Sequence, residues 1–150
     1  MKVTVLLADA AQADQAGKVH ALGLGWTLTG SPSPPMAVVL LIDVEWTETN
    51  QKYRVKAELL TADGRPVMAE GPTAPVPVAF EGEFEVGRPP GIPHGTPGRL
   101  PVAVNLGPGL PLVPGQRYVW RATVDGNHED GWDAGFLVRE SEPGLPGIVP

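Results

Sequence analysis

The residues best suited to chemistry gather in one short run: Asp125, Asn127, His128, Glu129, Asp130 and Asp133. Carboxylates around a His at a turn are the donor set of a Ca²⁺ or other divalent-ion site. The run lacks the EF-hand pattern and has no second His at ligand spacing, so it reads as the solvated end of a hairpin. No metal is expected there. A second group, Glu81, Glu83 and Glu85, alternates along one strand face in steps of about 7 Å. General acid–base catalysis needs one carboxylate desolvated and another kept ionised across a cleft. A row on a wet strand face offers neither. Its reading is solubility, or cross-strand pairing with Arg54 and Lys56.

The three histidines, His20, His94 and His128, are too dispersed for a metal set. His20 shares a face with Leu22 and Trp26 and reads as a hydrogen-bonded strand-end residue. No Gly-x-Ser-x-Gly elbow, phosphate loop or dinucleotide fingerprint occurs. The glycines at Gly23 and Gly25 sit inside a strand pattern with no helix after it, so they make no phosphate cradle. Neither an enzymatic activity nor a cofactor is expected.

Binding is the remaining class. Trp26, Trp120 and Trp132 share parity with Leu and Val neighbours and read as core. Trp46, at a strand end beside Glu45 and Glu48, is kept as a surface contact. The strongest candidate is the Pro-rich loop 87–98 (GRPPGIPHGTPG), through Arg88, Pro89, Pro90, Ile92 and Pro93. It cannot pair into a sheet, it is semi-rigid, and it exposes Ile92 to a partner at low entropic cost. The alternative is a linker that merely crosses between sheets.

These residues must be positioned by short strands. The chain has 150 residues, enough for one domain with its own core. Its 19 Gly and 18 Pro fall mostly between apolar runs, which is the all-β signature. A net charge of −6 with scattered basic residues argues against nucleic acid and anionic lipid as partners. The absence of Cys removes disulfides, thiolate catalysis and Cys-ligated zinc. The first apolar run, Val3 to Ala8, is too short for a signal peptide or a membrane span. The expectation is a soluble chain made in the cytoplasm.

Period-two alternation places the strands. Residues 1–8 form a first strand with Val3, Val5 and Leu7 on one face, and residues 9–17 a loop. Residues 18–29 alternate with His20, Leu22, Leu24, Trp26 and Leu28 on one face; the two glycines opposite suggest a bulge or close backbone approach. GSPSPP, residues 30–35, is a stiff connector. Residues 36–46 are apolar on both faces, the pattern of the most buried strand. Residues 53–62 and 76–86 alternate apolar with charged positions, as a half-wet sheet does. Strands follow at Leu100 to Leu106 and at Tyr118 to Val124, then a primed hairpin turn at Asp125-Gly126. A returning strand carries Trp132, Ala134, Phe136 and Val138. The reading is an immunoglobulin-like antiparallel β-sandwich of about eight strands over residues 1–140, with a Pro/Gly-rich tail at 141–150.

One turn stands out. Leu112, Pro114, Gly115, Tyr118 and Trp120 resemble the tyrosine corner of fibronectin type III domains, where a Tyr hydroxyl caps the turn into a central strand. Leu6-Leu7-Ala8-Asp9, Gly17-Lys18, Leu22-Gly23-x-Gly25-Trp26, the run EFEVGRPPG from Glu83, and Pro114-Gly115 with Tyr118 and Trp120 belong together. As a set they resemble a family of uncharacterised small proteins from actinobacteria and their bacteriophages. That resemblance implies no activity and no catalytic residues. The expected function is a structural or decoration subunit, set on a phage particle, whose loops and tail dock on neighbouring copies. A cytoplasmic module for a small molecule or peptide is the alternative.

Overall fold

Alternation along the chain is realised as two sheets packed face to face. The computed structural model describes residues 1–140; the tail at 141–150, and the docking role expected of it, lie outside the described residues. The strands are β1 (Lys2–Ala8), β2 (Ala10–Ala13), β3 (Val19–Leu22), β4 (Leu28–Thr29), β5 (Met36–Val44), β6 (Lys52–Thr61), β7 (Met68–Ala69), β8 (Val76–Pro77), β9 (Ala79–Glu85), β10 (Gly98–Leu106), β11 (Arg117–Val124) and β12 (Asp133–Val138). One sheet runs β1-β5-β10 and the other β4-β12-β11-β6-β9. The two together match the expected eight strands. All their pairings are antiparallel except that of β4 with β12. Two short ribbons, β2-β3 and β7-β8, are added outside them.

The fold is an all-β sandwich, and its interior is the period-two rows. Val3, Val5 and Leu7 of β1 and Val38, Leu40 and Ile42 of β5 face Val55, Ala57 and Leu59 of β6 and Tyr118, Trp120 and Ala122 of β11. Trp120 is fully buried at the centre. The corner that leads into its strand closes on itself. Leu112 is buried, Pro114-Gly115 makes a turn with Gly115 at φ +83°, and the Tyr118 hydroxyl accepts the Val113 N–H at 2.9 Å. Pro presets the first central position of such a turn and glycine supplies the positive φ of the second.

β5 is buried on both faces, as its unbroken apolar run requires. Its second face is covered by the β2-β3 ribbon, which buries Ala8, Ala11, Ala37 and Val39. Here residues 9–17 depart from the expected loop, because β2 occupies part of them. Ala-Ala-Gln-Ala has little strand propensity of its own. It is clamped instead by Asn105, whose Oδ1 accepts the Ala11 N–H at 3.1 Å and whose Nδ2 donates to the Ala11 carbonyl at 2.8 Å.

Residues 18–29 also depart from a continuous strand. β3 stops at Leu22 because Gly23 (φ +62°) and Gly25 (φ +88°) turn the chain, leaving Leu22 72% and Leu24 54% exposed. The close approach expected at the glycines is present: a Cβ on Gly23 would lie 2.2 Å from the Asp9 Oδ2. His20 hydrogen-bonds the Asp14 carboxylate at 2.8 Å. No helix among the described residues is long and apolar enough to cross a membrane.

Candidate functional site

The Pro-rich loop is held by contacts its composition does not announce. β5 ends at Val44, and Trp46 opens a 3-10 turn, Trp46–Glu48, tied by the Glu45 N–H to Glu48 Oε1 at 3.0 Å. Thr49 follows, buried, with its hydroxyl donating to the Trp46 carbonyl at 2.6 Å. Arg88 reaches back to this turn. Its Nε donates to Thr49 Oγ1 at 2.6 Å and its Nη2 to the Trp46 carbonyl at 2.7 Å. The guanidinium carbon lies 4.0 Å from the centre of the Trp46 ring, a cation–π contact. His94, from the far limb of the loop, meets the same ring with centroids 4.8 Å apart.

Beyond Arg88 the loop makes two consecutive turns and departs from an extended polyproline helix. The Ile92 N–H donates to the Pro89 carbonyl around Pro90-Gly91, and the Thr96 N–H donates to the Pro93 carbonyl around His94-Gly95. Gly91 and Gly95 carry φ of +83° and +88°, the value the third residue of a type II turn requires. The base of the loop is pinched: a Cβ on Gly98 would stand 2.6 Å from Val86 Cγ1. Beside it, Val86, Arg88, Pro89, Arg99 and Leu100 border an open cleft of about 480 Å³. Arg99 grips Asp43 through two bonds of 2.6 and 3.0 Å, and those bonds hold the Asp43 carboxyl below its ordinary range against the opposing effect of burial.

Of the residues singled out from the sequence, Arg88 and Trp46 are thus brought together, and Pro89, Pro90, Ile92 and Pro93 stand exposed around them. Trp46 is half-buried under the chain's own groups and less open than a free surface contact. The corner residues Leu112, Pro114 and Gly115 are elsewhere, near the 30–35 connector, where Ser31 Oγ donates to the Leu112 carbonyl and Ser33 Oγ accepts the Leu110 N–H. His94 and Thr49 were not anticipated; a lone His among prolines and a Thr in a polar turn carry no local signal.

Several of the polar groups weighed for catalytic or metal chemistry make structural contacts. Asp125 (φ +48°) and Gly126 (φ +78°) form the primed hairpin turn, and the Asp125 carboxylate accepts the Arg54 N–H at 2.8 Å. His128 Nδ1 lies 2.9 Å from the Ala122 carbonyl, which can only accept, so the proton is on Nδ1. No group of three metal-ligating side chains occurs among the described residues. The glutamate row pairs as the strand parity requires, with Glu85, Glu83 and Glu81 opposite Lys52, Arg54 and Lys56. Arg54 meets Glu81 at 3.0 Å, and this contact lowers the Glu81 carboxyl below its ordinary range.

These features define a class: an all-β sandwich bearing a loop folded onto an aromatic–guanidinium stack. Residues 3–133 match the model of a family described as "Family of unknown function (DUF6941)", and the chain belongs to that family. None of the curated proteins matches it. No solved structure matches it.

Proposed function

We propose that the protein acts by binding, as a structural subunit that associates with copies of itself through the Pro-rich loop. The particle of a bacteriophage is the setting that the sequence resemblance favours. One observation carries the reading. Arg88 spends its donors on the Trp46 turn, so the loop is ordered in advance while Pro89, Pro90, Ile92 and Pro93 face solvent. A surface fixed before binding loses little conformational freedom on docking, which is where flexible loops lose affinity. Prolines and a single aliphatic anchor in such a loop suit a protein partner better than a polar ligand.

The test is sedimentation velocity over about 1–100 µM, the range in which a micromolar interface changes its occupancy. The wild-type chain is expected to associate with rising concentration, and Ile92→Asp to remain monomeric with an unchanged circular dichroism spectrum. A wild-type chain that stays monomeric throughout overturns the reading.

A further inference from the structure

We propose a second binding site, independent of the Pro-rich loop, in the cleft floored by Trp26, and infer that its ligand is a small zwitterion with an apolar body. The α-amino acids with aliphatic side chains are the simplest members of that class. The cleft has a volume of about 320 Å³, at the small end of ligand pockets. Leu28, Pro34, Pro35, Asp9 and Arg139 line it together with Trp26.

The ring and the backbone that carries the charged groups are fixed before any ligand arrives. Trp26 packs edge-on against Phe136, with centroids 5.3 Å apart at 72°, and so belongs to the core as well as to the cleft. Asp9 is placed by its N–H on the Leu22 carbonyl at 2.8 Å, and its carboxylate lies in the space left by the missing Cβ of Gly23. The Gly25 N–H ties the following turn to the Leu7 carbonyl at 2.6 Å. The Arg139 N–H donates to the Thr29 carbonyl at 2.8 Å. Two prolines complete a wall with little freedom to lose.

Charge selects the ligand. Among the described residues neither Asp9 nor Arg139 takes part in an ion pair, with each other or with a third group. Arg54, Arg65 and Arg99 each hold a carboxylate, whereas Arg139, like Arg88, Arg117 and Arg121, holds none among the described residues. A purely cationic ligand would meet Arg139 and a purely anionic one would meet Asp9, so each is opposed by one charge. A molecule carrying both charges satisfies both, its ammonium on the Asp9 carboxylate and its carboxylate on the Arg139 guanidinium. The apolar part then lies on the indole and the prolines, where an ammonium near the ring face gains further.

The experiment is a titration of the ¹⁵N-labelled full chain with leucine, N-acetylleucine and leucinamide. The chain has four tryptophans, and the Trp26 indole signal is assigned by its loss in Trp26→Phe. Leucine is expected to shift that signal, and the Asp9 and Arg139 amides, saturably with a dissociation constant of order 1 mM or below. Either neutralised analogue is expected to bind about tenfold more weakly or worse. In Asp9→Asn the acetyl derivative should lose its disadvantage, and in Arg139→Gln the amide should. Both substitutions are at exposed positions, and a dispersed spectrum confirms the fold of each. The inference is overturned if leucine gives no saturable shift up to about 10 mM, or if the neutralised analogues or an uncharged sugar bind as well as leucine.

Discussion

Trp26 and Trp46 lie at opposite ends of one strand, Trp26 in a cleft with Pro34 and Pro35 just ahead of β5, Trp46 in the turn just after it. Each has an arginine nearby and a stretch rich in proline. At the Trp46 end the arginine is consumed: Arg88 donates to Thr49 and to the Trp46 carbonyl and lies over the ring. At the Trp26 end Arg139 and Asp9 border the cleft and hold no ion pair with the described residues. The same residue types therefore do two jobs. Where the arginine is bonded to the tryptophan's own turn, the two build a rigid loop; where the charged groups hold no ion pair, they border the proposed site.

Truncating the two tryptophans should separate the jobs most widely. Trp26→Ala removes a ring that packs on Phe136 and is expected to cost about 2–4 kcal/mol, seen as a lower urea midpoint. Trp46→Ala should cost about 1 kcal/mol, because that ring is outside the core and its contacts are to a loop. Equal losses would mean that Trp46 is a core residue and that the loop is not its main client.

Glycines sharpen the contrast next. Gly98→Ala should cost about 1–3 kcal/mol by forcing a Cβ into Val86, whereas Gly107→Ala, with nothing within 4 Å, should stay within about 0.5 kcal/mol of wild type. At the other end, Gly23→Ala should cost about 1–2 kcal/mol, from a φ of +62° and from the Asp9 carboxylate. Adding Asp9→Ala should recover the second part and leave the first. A double variant no more stable than Gly23→Ala alone would show that Asp9 is not held there.

How much of this could be seen in the sequence divides along the same line. The rows Tyr118, Trp120, Ala122, Val124 and Phe136, Val138 were legible because parity alone decides which side of a sheet a residue takes, and all are buried. β5 was legible because burial on two faces needs an unbroken apolar run. β2 was not, since what holds it is Asn105, 94 residues away. Leu22 and Leu24 had the right parity for a core and yet face solvent, because parity says nothing once Gly23 and Gly25 end the strand. Trp46 likewise left the parity of β5 when the chain turned at Glu45. The Pro-rich loop was visible by composition, but its anchor joins residues 42 apart through a side chain and a carbonyl. The Trp26 cleft draws Asp9 from the end of β1 and Arg139 from the end of β12, strands of different sheets whose meeting no local pattern announces.

The two arginines give a smaller but more direct comparison. Arg88→Met should lower stability by about 1 kcal/mol and, more tellingly, raise hydrogen exchange and protease cleavage over residues 89–97. Arg139→Met should leave stability within about 0.5 kcal/mol and exchange unchanged. A loop that stays protected without Arg88 would move the ordering role to His94 and the two turns.

The smallest expected effect belongs to Asp43, which closes the Trp46 end through Arg99. Its carboxyl is held below the ordinary range by the Arg99 hydrogen bonds, with burial working against them. A group whose pKa is lower in the folded chain stabilises it fully above the unfolded value, about 3.9 for Asp. That contribution is lost as pH falls through the lower folded value, when both states bind the proton alike. The Arg99 side chain is 55% exposed, so solvent screening keeps the pair to roughly 0.5 kcal/mol. Urea midpoints of wild type and Arg99→Met should therefore differ slightly near pH 6 and converge near pH 2. A gap of the same size at both values would assign the loss to the packing of the Arg99 stem beside Leu100 and Val86, and the ion pair would then contribute nothing to closing this end.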